Sequence, residues 1–229
     1  MFSASSTLSE RELISAAVPL ASRPEADFAT VSRILDVCVA VTMLIVLLPV
    51  MLVIPIGILI SDPGPIFFAQ KRVGKNGRII KCLKFRTMCV DADEKLKKLL
   101  ATSPRLREEW KEKQKLDRDP RITRFGQFLR QSSLDELPQL FAIVMGDMSL
   151  VGPRPIIEAE IPRYGRFITS YLSVKPGLTG LWQVTGRNNT TYRRRVATDV
   201  FYVRSKSLWL DLKILLATIP AVLTGRGSC

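Results

Sequence analysis

Hydrophobic positions are unevenly spread along the chain. From Val37 to Ile60, 24 consecutive positions carry no charge, enough at about 1.5 Å per helical residue to cross a hydrocarbon core of roughly 30 Å. Few globular cores accept so long an uninterrupted run, so the stretch predicts a membrane segment. Pro49 and Pro55 interrupt it. Pro49 would free the carbonyl of Ile45, and a freed backbone group at membrane depth needs a partner inside the protein. A kinked span and a re-entrant helix-break-helix both satisfy this pattern. Before it, residues 1–31 are Ser- and Ala-rich without periodicity and read as a mobile tail. That tail has no basic region followed by an apolar core and a cleavage site, so no cleaved signal peptide is expected.

After the turn residues Asp62-Pro63-Gly64-Pro65, the pattern changes period. Ile66 to Val73 and Ile79 to Thr87 flank Lys75-Asn76-Gly77-Arg78, and Asn-Gly between β-prone runs predicts a hairpin. Asp91 to Leu116 carries leucines and Trp110 at helical spacing and predicts two amphipathic helices meeting at Ser103-Pro104. Ile122 to Arg130 predicts a short basic helix, and Leu137 to Met145 a helix starting at Pro138. Ile156 to Leu172 mixes Arg163 and Arg166 with Tyr164, Phe167 and Tyr171, as suits a helix at a lipid interface. Ser207 to Leu223 is apolar but short and carries Asp211 and Lys213, which fits an in-plane helix with Trp209 at headgroup level. The expected class is α+β and mostly helical, with an N-terminal membrane segment (32–61), a small hairpin and interfacial helices around a compact catalytic domain (62–229).

Composition narrows the chemistry. Against 21 acids stand 34 Lys and Arg residues, a formal charge of +13. Nucleic acid, anionic membrane lipids and a phosphorylated substrate would all satisfy it. Base-reading modules are absent and a membrane segment is present, which favours lipid and argues against nucleic acid. The basic cluster from Lys71 to Arg86 just after the segment places the following domain in the cytoplasm. There is no histidine, which removes Ser-His-Asp and Cys-His catalysis and His-ligated zinc. Four cysteines without CxxC spacing read as free thiols in a reducing compartment. The final Cys229 has no residues after it and forms no prenylation box.

Candidate chemistry concentrates between Arg130 and Pro155, around the adjacent acids Asp135 and Glu136. A helix beginning at Pro138 leaves both carboxylates at its entrance, where anions are favoured. Arg130 and Arg154 can grip phosphate oxygens bidentately, and a carboxylate pair suits a hard cation such as Mg²⁺. Together they suggest phosphoryl transfer. A plainer reading competes from spacing alone: Ser133-x-x-Glu136 fits a capping box and Pro153-Arg154-Pro155 a rigid turn. Without histidine, a carboxylate can itself be the nucleophile on phosphorus. Asp135 is expected in that role, with Glu136 holding Mg²⁺.

Several longer words decide between these readings. The hairpin end KFRTM, then SLDELPQL, GDMSLVGPRP and KPGLTGLWQVTGRN, in that order between Arg33 and Gly227, resemble the bacterial sugar transferase family, the monotopic polyprenyl-phosphate phosphoglycosyl transferases. The resemblance implies a re-entrant anchor, with Arg33 and Asp36 at its start and Pro49 as its break. It implies that Asp135 attacks the β-phosphate of a UDP-sugar, that UMP leaves, and that undecaprenyl phosphate takes the phosphosugar. Lys84, Arg86, Arg130, Arg154 and Arg187 are implied phosphate contacts, with Gly186 supplying a turn for Arg187. The implied setting is the cytoplasmic face of a bacterial inner membrane, early in exopolysaccharide, capsule or O-antigen synthesis; a homodimer is compatible with it. Two positions depart from the family pattern, Leu48 in place of Ser and Ala142 in place of Asn. A non-enzymatic scaffold of polysaccharide assembly and a conventional glycosyltransferase releasing UDP are the alternatives.

Overall fold

The structure, a computed structural model, describes residues 26–113, 116, 119–185 and 191–223. Most of the expected N-terminal tail, the Gly186-Arg187 turn and the last residues up to Cys229 lie outside the described residues. Helix α1 spans Ala26–Val46 and α2 spans Leu48–Ser61, so the last residues of the expected tail are already helical. Between them Leu47 stands at φ −91°, ψ 2°. Pro49 falls in the first turn of α2, where its missing N–H costs nothing. The break is therefore one residue wide, and backbone bonds from Leu47 to Met43 and from Met51 to Leu47 run up to it on either side. Pro55 lies inside α2 without ending it. Of the described helices, α1 alone is long and apolar enough to cross a membrane, and little of its apolar window is buried.

Strand β1 (Phe67–Val73) pairs antiparallel with β2 (Ile79–Phe85), register Phe67 to Phe85 and Val73 to Ile79. The expected turn closes through left-handed Asn76 and Gly77, at φ 56° and 76°. Helices α3 (Ala92–Thr102) and α4 (Pro104–Lys113) meet at extended Ser103, as Pro104 requires of the residue before it. The basic helix α5 covers Arg124–Gln131, capped by the Thr123 hydroxyl. A 3₁₀ turn, Leu134–Glu136, carries the acidic pair into α6 (Gln139–Met145).

Two features were not legible in the periodicity. Strand β3 (Ser149–Val151) pairs in parallel with β4 (Gly177–Thr179), a three-residue match across distant segments. The expected interfacial helix over Ile156 to Leu172 is instead broken into 3₁₀ turns and two short helices, α7 (Ile161–Tyr164) and α8 (Ile168–Leu172), because Gly165 turns left-handed at φ 51°. Tyr164 and Tyr171 do not face lipid; they form the centre of a small second core with Val73, Ile156, Leu172, Val196 and Val200. Their hydroxyls have buried partners, which is what lets an aromatic pair of this kind be core.

The chain closes with α9 (Leu181–Thr185), α10 (Tyr192–Arg204) and α11 (Leu208–Leu223). In α11 the acid turns inward, Asp211 accepting from Tyr202 at 2.7 Å, while Trp209, Leu212, Leu216 and Ile219 stay exposed. The main core joins Ala40, Ile54 and Ile58 of the two N-terminal helices to Ile80, Leu129, Leu140, Ile143, Met148 and Ile214. The apolar N-terminal segment and the remaining body thus share one core.

Candidate active site

Asp135 and Glu136 sit in a turn too short to be held by its own backbone, and its position comes from both sides. Before it, α5 lies so close to Thr87 that a Cβ on Gly126 would meet the Thr87 carbonyl oxygen at 2.0 Å. Thr123 N–H donates to that carbonyl, and Arg130 Nε donates to the Thr87 hydroxyl at 2.9 Å. After it, α6 begins at Gln139, with Pro138 as its N-cap, and ends where Arg33 of α1 donates to the carbonyls of Ile143 and Val144, at 2.5 and 2.8 Å. Ser133, left-handed at φ 57°, caps nothing, so the capping-box reading of Ser133 and Glu136 is not realised.

Hairpin register delivers the cations. Residues opposite one another share a face, so Phe68, Gln70 and Arg72 of β1 lie with Ile80, Cys82 and Lys84 of β2. Lys84 Nζ reaches Glu136 Oε1 at 2.5 Å and Asp135 Oδ2 at 3.7 Å. Arg72, two residues along the same face, donates to the Pro155 carbonyl at 3.0 Å and approaches Glu160 at 3.8 Å. Arg72, Cys82, Lys84, Glu136, Gln139 and Arg154 line a small hollow, closed by Pro155, Gly177, Leu178 and Gln183. Asp135 is not among these lining residues but meets one of them, Lys84, at 3.7 Å.

Arg154 is carried by a loop clamped at several points. Val73 N–H donates to the Ile156 carbonyl at 2.8 Å, while the Tyr171 hydroxyl donates to Val73 and accepts from Ile156 N–H. On the other side Gly152 and Gly177 approach so closely that a Cβ on Gly177 would stand 2.1 Å from the Gly152 nitrogen. This contact gives KPGLTG a physical reason: the loop holding Arg154 rests on a backbone with no side chain in the way.

The electrostatics separate the two acids. Burial pushes the Asp135 carboxyl above the usual carboxylate range, against the opposing pull of Lys84, Arg130 and Arg154. Burial acts on Glu136 in the same sense, but there Lys84, Arg154 and Arg72 outweigh it and hold the group low. Glu136 is thereby the firm anion of the pair and Asp135 the more basic one. Burial, and after it the neighbouring Arg154, pushes the Arg72 guanidinium down, with Glu160 pulling the other way. Among the described residues no three His, Cys, Asp or Glu side chains converge as a metal cage.

The expected site residues are therefore only partly brought together. Lys84, Glu136 and Arg154 line one hollow and Asp135 meets Lys84, while Arg130 bonds to Thr87 and acts on Asp135 electrostatically. Arg86 points elsewhere: it is buried at the exit of α2, paired with the Asp62 carboxylate at 2.8 Å and with the Asp62 carbonyl. Arg187 lies outside the described residues. Arg72, Gln139 and Gln183 were missed; the first was recoverable, since alternation from Lys84 through the hairpin leads to it.

The sequence model of the family described as "Bacterial sugar transferase" matches residues 28–225. A UDP-galactose-lipid carrier transferase of Erwinia amylovora is 50% identical over 196 residues, covering 86% of this chain and 41% of that protein. The exopolysaccharide production protein ExoY of Sinorhizobium fredii is 48% identical over 86% of this chain and 87% of its own length. An undecaprenyl-phosphate galactose phosphotransferase of Salmonella typhimurium is 46% identical, again over 86% of this chain and 41% of that protein. The chain thus spans about two fifths of the longer relatives and nearly the whole of the shorter one. With the family match running from the N-terminal helices to α11, and with the acidic turn, the hairpin lysine and the clamped arginine loop all inside it, the chain belongs to the bacterial sugar transferase family.

Proposed function

We propose that the protein transfers a sugar 1-phosphate from a UDP-sugar to undecaprenyl phosphate through a covalent intermediate on Asp135. The observation that carries this reading is the hollow in which Lys84, Arg72 and Arg154 face Glu136, with Asp135 meeting Lys84 beside it and the two acids differing in basicity. Three cations within one small concavity suit a diphosphate, and the more basic carboxylate suits attack on phosphorus. In the first step Asp135 Oδ bonds to the β-phosphorus while the bond from that phosphorus to the oxygen bridging to the α-phosphate breaks, releasing UMP. In the second, a phosphate oxygen of the lipid bonds to the same phosphorus and the Asp135 bond breaks, regenerating the carboxylate and leaving a lipid diphosphate sugar. Arg72 and Arg154 hold the phosphate oxygens, and Lys84 keeps the acids ionised and offsets charge on the departing phosphate.

Glu136 fits a role as Mg²⁺ ligand. The Lys84 ammonium already lies against both carboxylates, marking a cation-favouring point, and Mg²⁺ is commonly bound by one or two carboxylates plus substrate phosphates. Bound there, the ion would neutralise charge on the diphosphate.

The N-terminal helices are proposed as a re-entrant anchor entered and left on the cytoplasmic side. Support comes from both ends meeting the same body: Arg33 and Asp36 bond to α6 and β3, and Asp62 pairs with Arg86. The residues around the break, Ile45, Val46, Leu48, Leu52 and Val53, are exposed and apolar, suited to lipid.

The test is a half-reaction. Purified protein with a panel of UDP-sugars and Mg²⁺, but no lipid, should release UMP stoichiometrically and carry a phosphosugar on Asp135 by mass spectrometry. Asp135→Asn should lose turnover by about four orders of magnitude or more while still fractionating with membranes. Release of UDP instead, or full UMP release by the variant, would refute the assignment.

A further inference from the structure

Helix α9 is a partition. Gln183 lines the catalytic hollow, whereas Leu181 and Thr185, one turn apart, line a separate cleft of about 330 Å³ with Arg194, Ala197, Thr198 and Phe201 of α10. Positions 194, 197, 198 and 201 recur at helical spacing, so the cleft follows one stripe of α10. Its surface is apolar apart from Arg194: leucine, alanine, a phenylalanine left 58% exposed, and two threonines. The opposite side of α10 is fully engaged, with Val196, Asp199, Val200 and Tyr202 buried. On its other flank α9 packs against α11, whose outer residues Trp209, Leu212, Leu216 and Ile219 are exposed and apolar.

An apolar cleft with a single guanidinium, one short helix away from a hollow built for phosphates, matches a ligand with an anionic head and an extended hydrocarbon chain. Its size admits a stretch of one chain rather than a protein element. We propose that this cleft holds the phosphate-proximal isoprenyl units of the lipid acceptor, and that Arg194 draws the lipid phosphate toward the hollow across α9. This inference rests on the phosphosugar transfer proposed above and adds to it a place for the second substrate that is separate from the nucleotide-sugar site.

Because the first step needs no lipid, the two claims can fail separately. Ala197→Trp fills the cleft from an exposed position, and Phe201→Ala removes apolar contact; neither residue lines the hollow. Both should leave the UMP burst in the absence of lipid unchanged, yet raise the KM for undecaprenyl phosphate by about tenfold, the cost of losing contact with about two methylene groups. The rise should be smaller for a prenyl phosphate too short to fill the cleft. An unchanged acceptor KM would overturn the inference, as would equal loss of both half-reactions in both variants, because the cleft would then serve only the fold. Weaker binding to vesicles lacking polyprenyl phosphate, with acceptor KM unaffected, would assign the cleft to bulk lipid and also overturn it. Absence of a UMP burst in the unaltered protein would strike instead at the underlying reaction.

Discussion

Lys84 is the residue on which the basicity of the dyad turns. It touches both acids, and it opposes the burial that drives Asp135 upward. A nucleophilic carboxylate works ionised, so the acid limb of the pH–rate profile should lie above the ordinary carboxylate range. Lys84→Met removes the opposing charge, and the limb should move to still higher pH, with a lower plateau because a phosphate contact is lost as well; pH profiles of the UMP burst check this. Asp199 offers a purely structural counterpart. Burial pushes it up to about 6, with the Tyr164 hydroxyl and Arg195 pulling the other way. For an acid with a raised folded pKa the protonated form favours the native state, so its contribution is complete below the unfolded pKa and is lost as pH rises through about 6. A shift of this size is worth about 3 kcal/mol. Relative to the unaltered protein, Asp199→Asn should therefore gain thermal stability as pH is raised from about 4 to about 7, read as the difference in Tm between the two. Sequence reading reached Asp135, Glu136, Lys84 and Arg154 because their motifs state residue type and order. It did not reach Asp199 or separate Arg86 from the site, because burial and partner choice depend on segments far away in the chain.

At the scale of elements, periodicity and turn chemistry foretold the hairpin, the paired charged helices and the position of α6, all of which depend on near neighbours. They failed over Ile156 to Leu172. There the aromatic and basic residues have the composition of an interfacial helix, but Gly165 breaks the helix and two tyrosine hydroxyls find buried partners. Tyr171 also repairs an incomplete strand contact, its hydroxyl taking the place of a second direct bond between Val73 and Ile156. Tyr171→Phe would leave a buried N–H and carbonyl unpaired, at about 1–3 kcal/mol each. It should lower Tm and loosen the Arg154 loop, so that the KM for the UDP-sugar rises more than kcat for the half-reaction falls. The β3–β4 pair was equally hidden, since three residues carry no period and their partnership is set by the Gly152–Gly177 approach.

For the molecule as a whole, the hydrophobic segment and the catalytic body form one packed unit rather than an anchor with a cargo. Ala40, Ile54 and Ile58 belong to the same core as Leu140 and Ile143 of α6, the helix that follows the acidic turn. Composition made the apolar N-terminal segment readable through one long uncharged run. What composition lacked was the return of that run to the body, which depends on Arg33, Asp36 and Asp62 finding their partners across the fold.

The Arg33 bonds carry a mechanical consequence. Helix α6 has seven residues, about 10 Å of nearly rigid rod, with the anchor fastened at one end and the acids at the other. If α1 and α2 form the proposed membrane anchor, a bilayer too thin or too thick for it would tilt or shift it, and that rod would pass the displacement to Asp135. Turnover in vesicles of graded acyl length should accordingly peak at one thickness, and Arg33→Ala, by loosening the fastening, should flatten the peak while lowering its height.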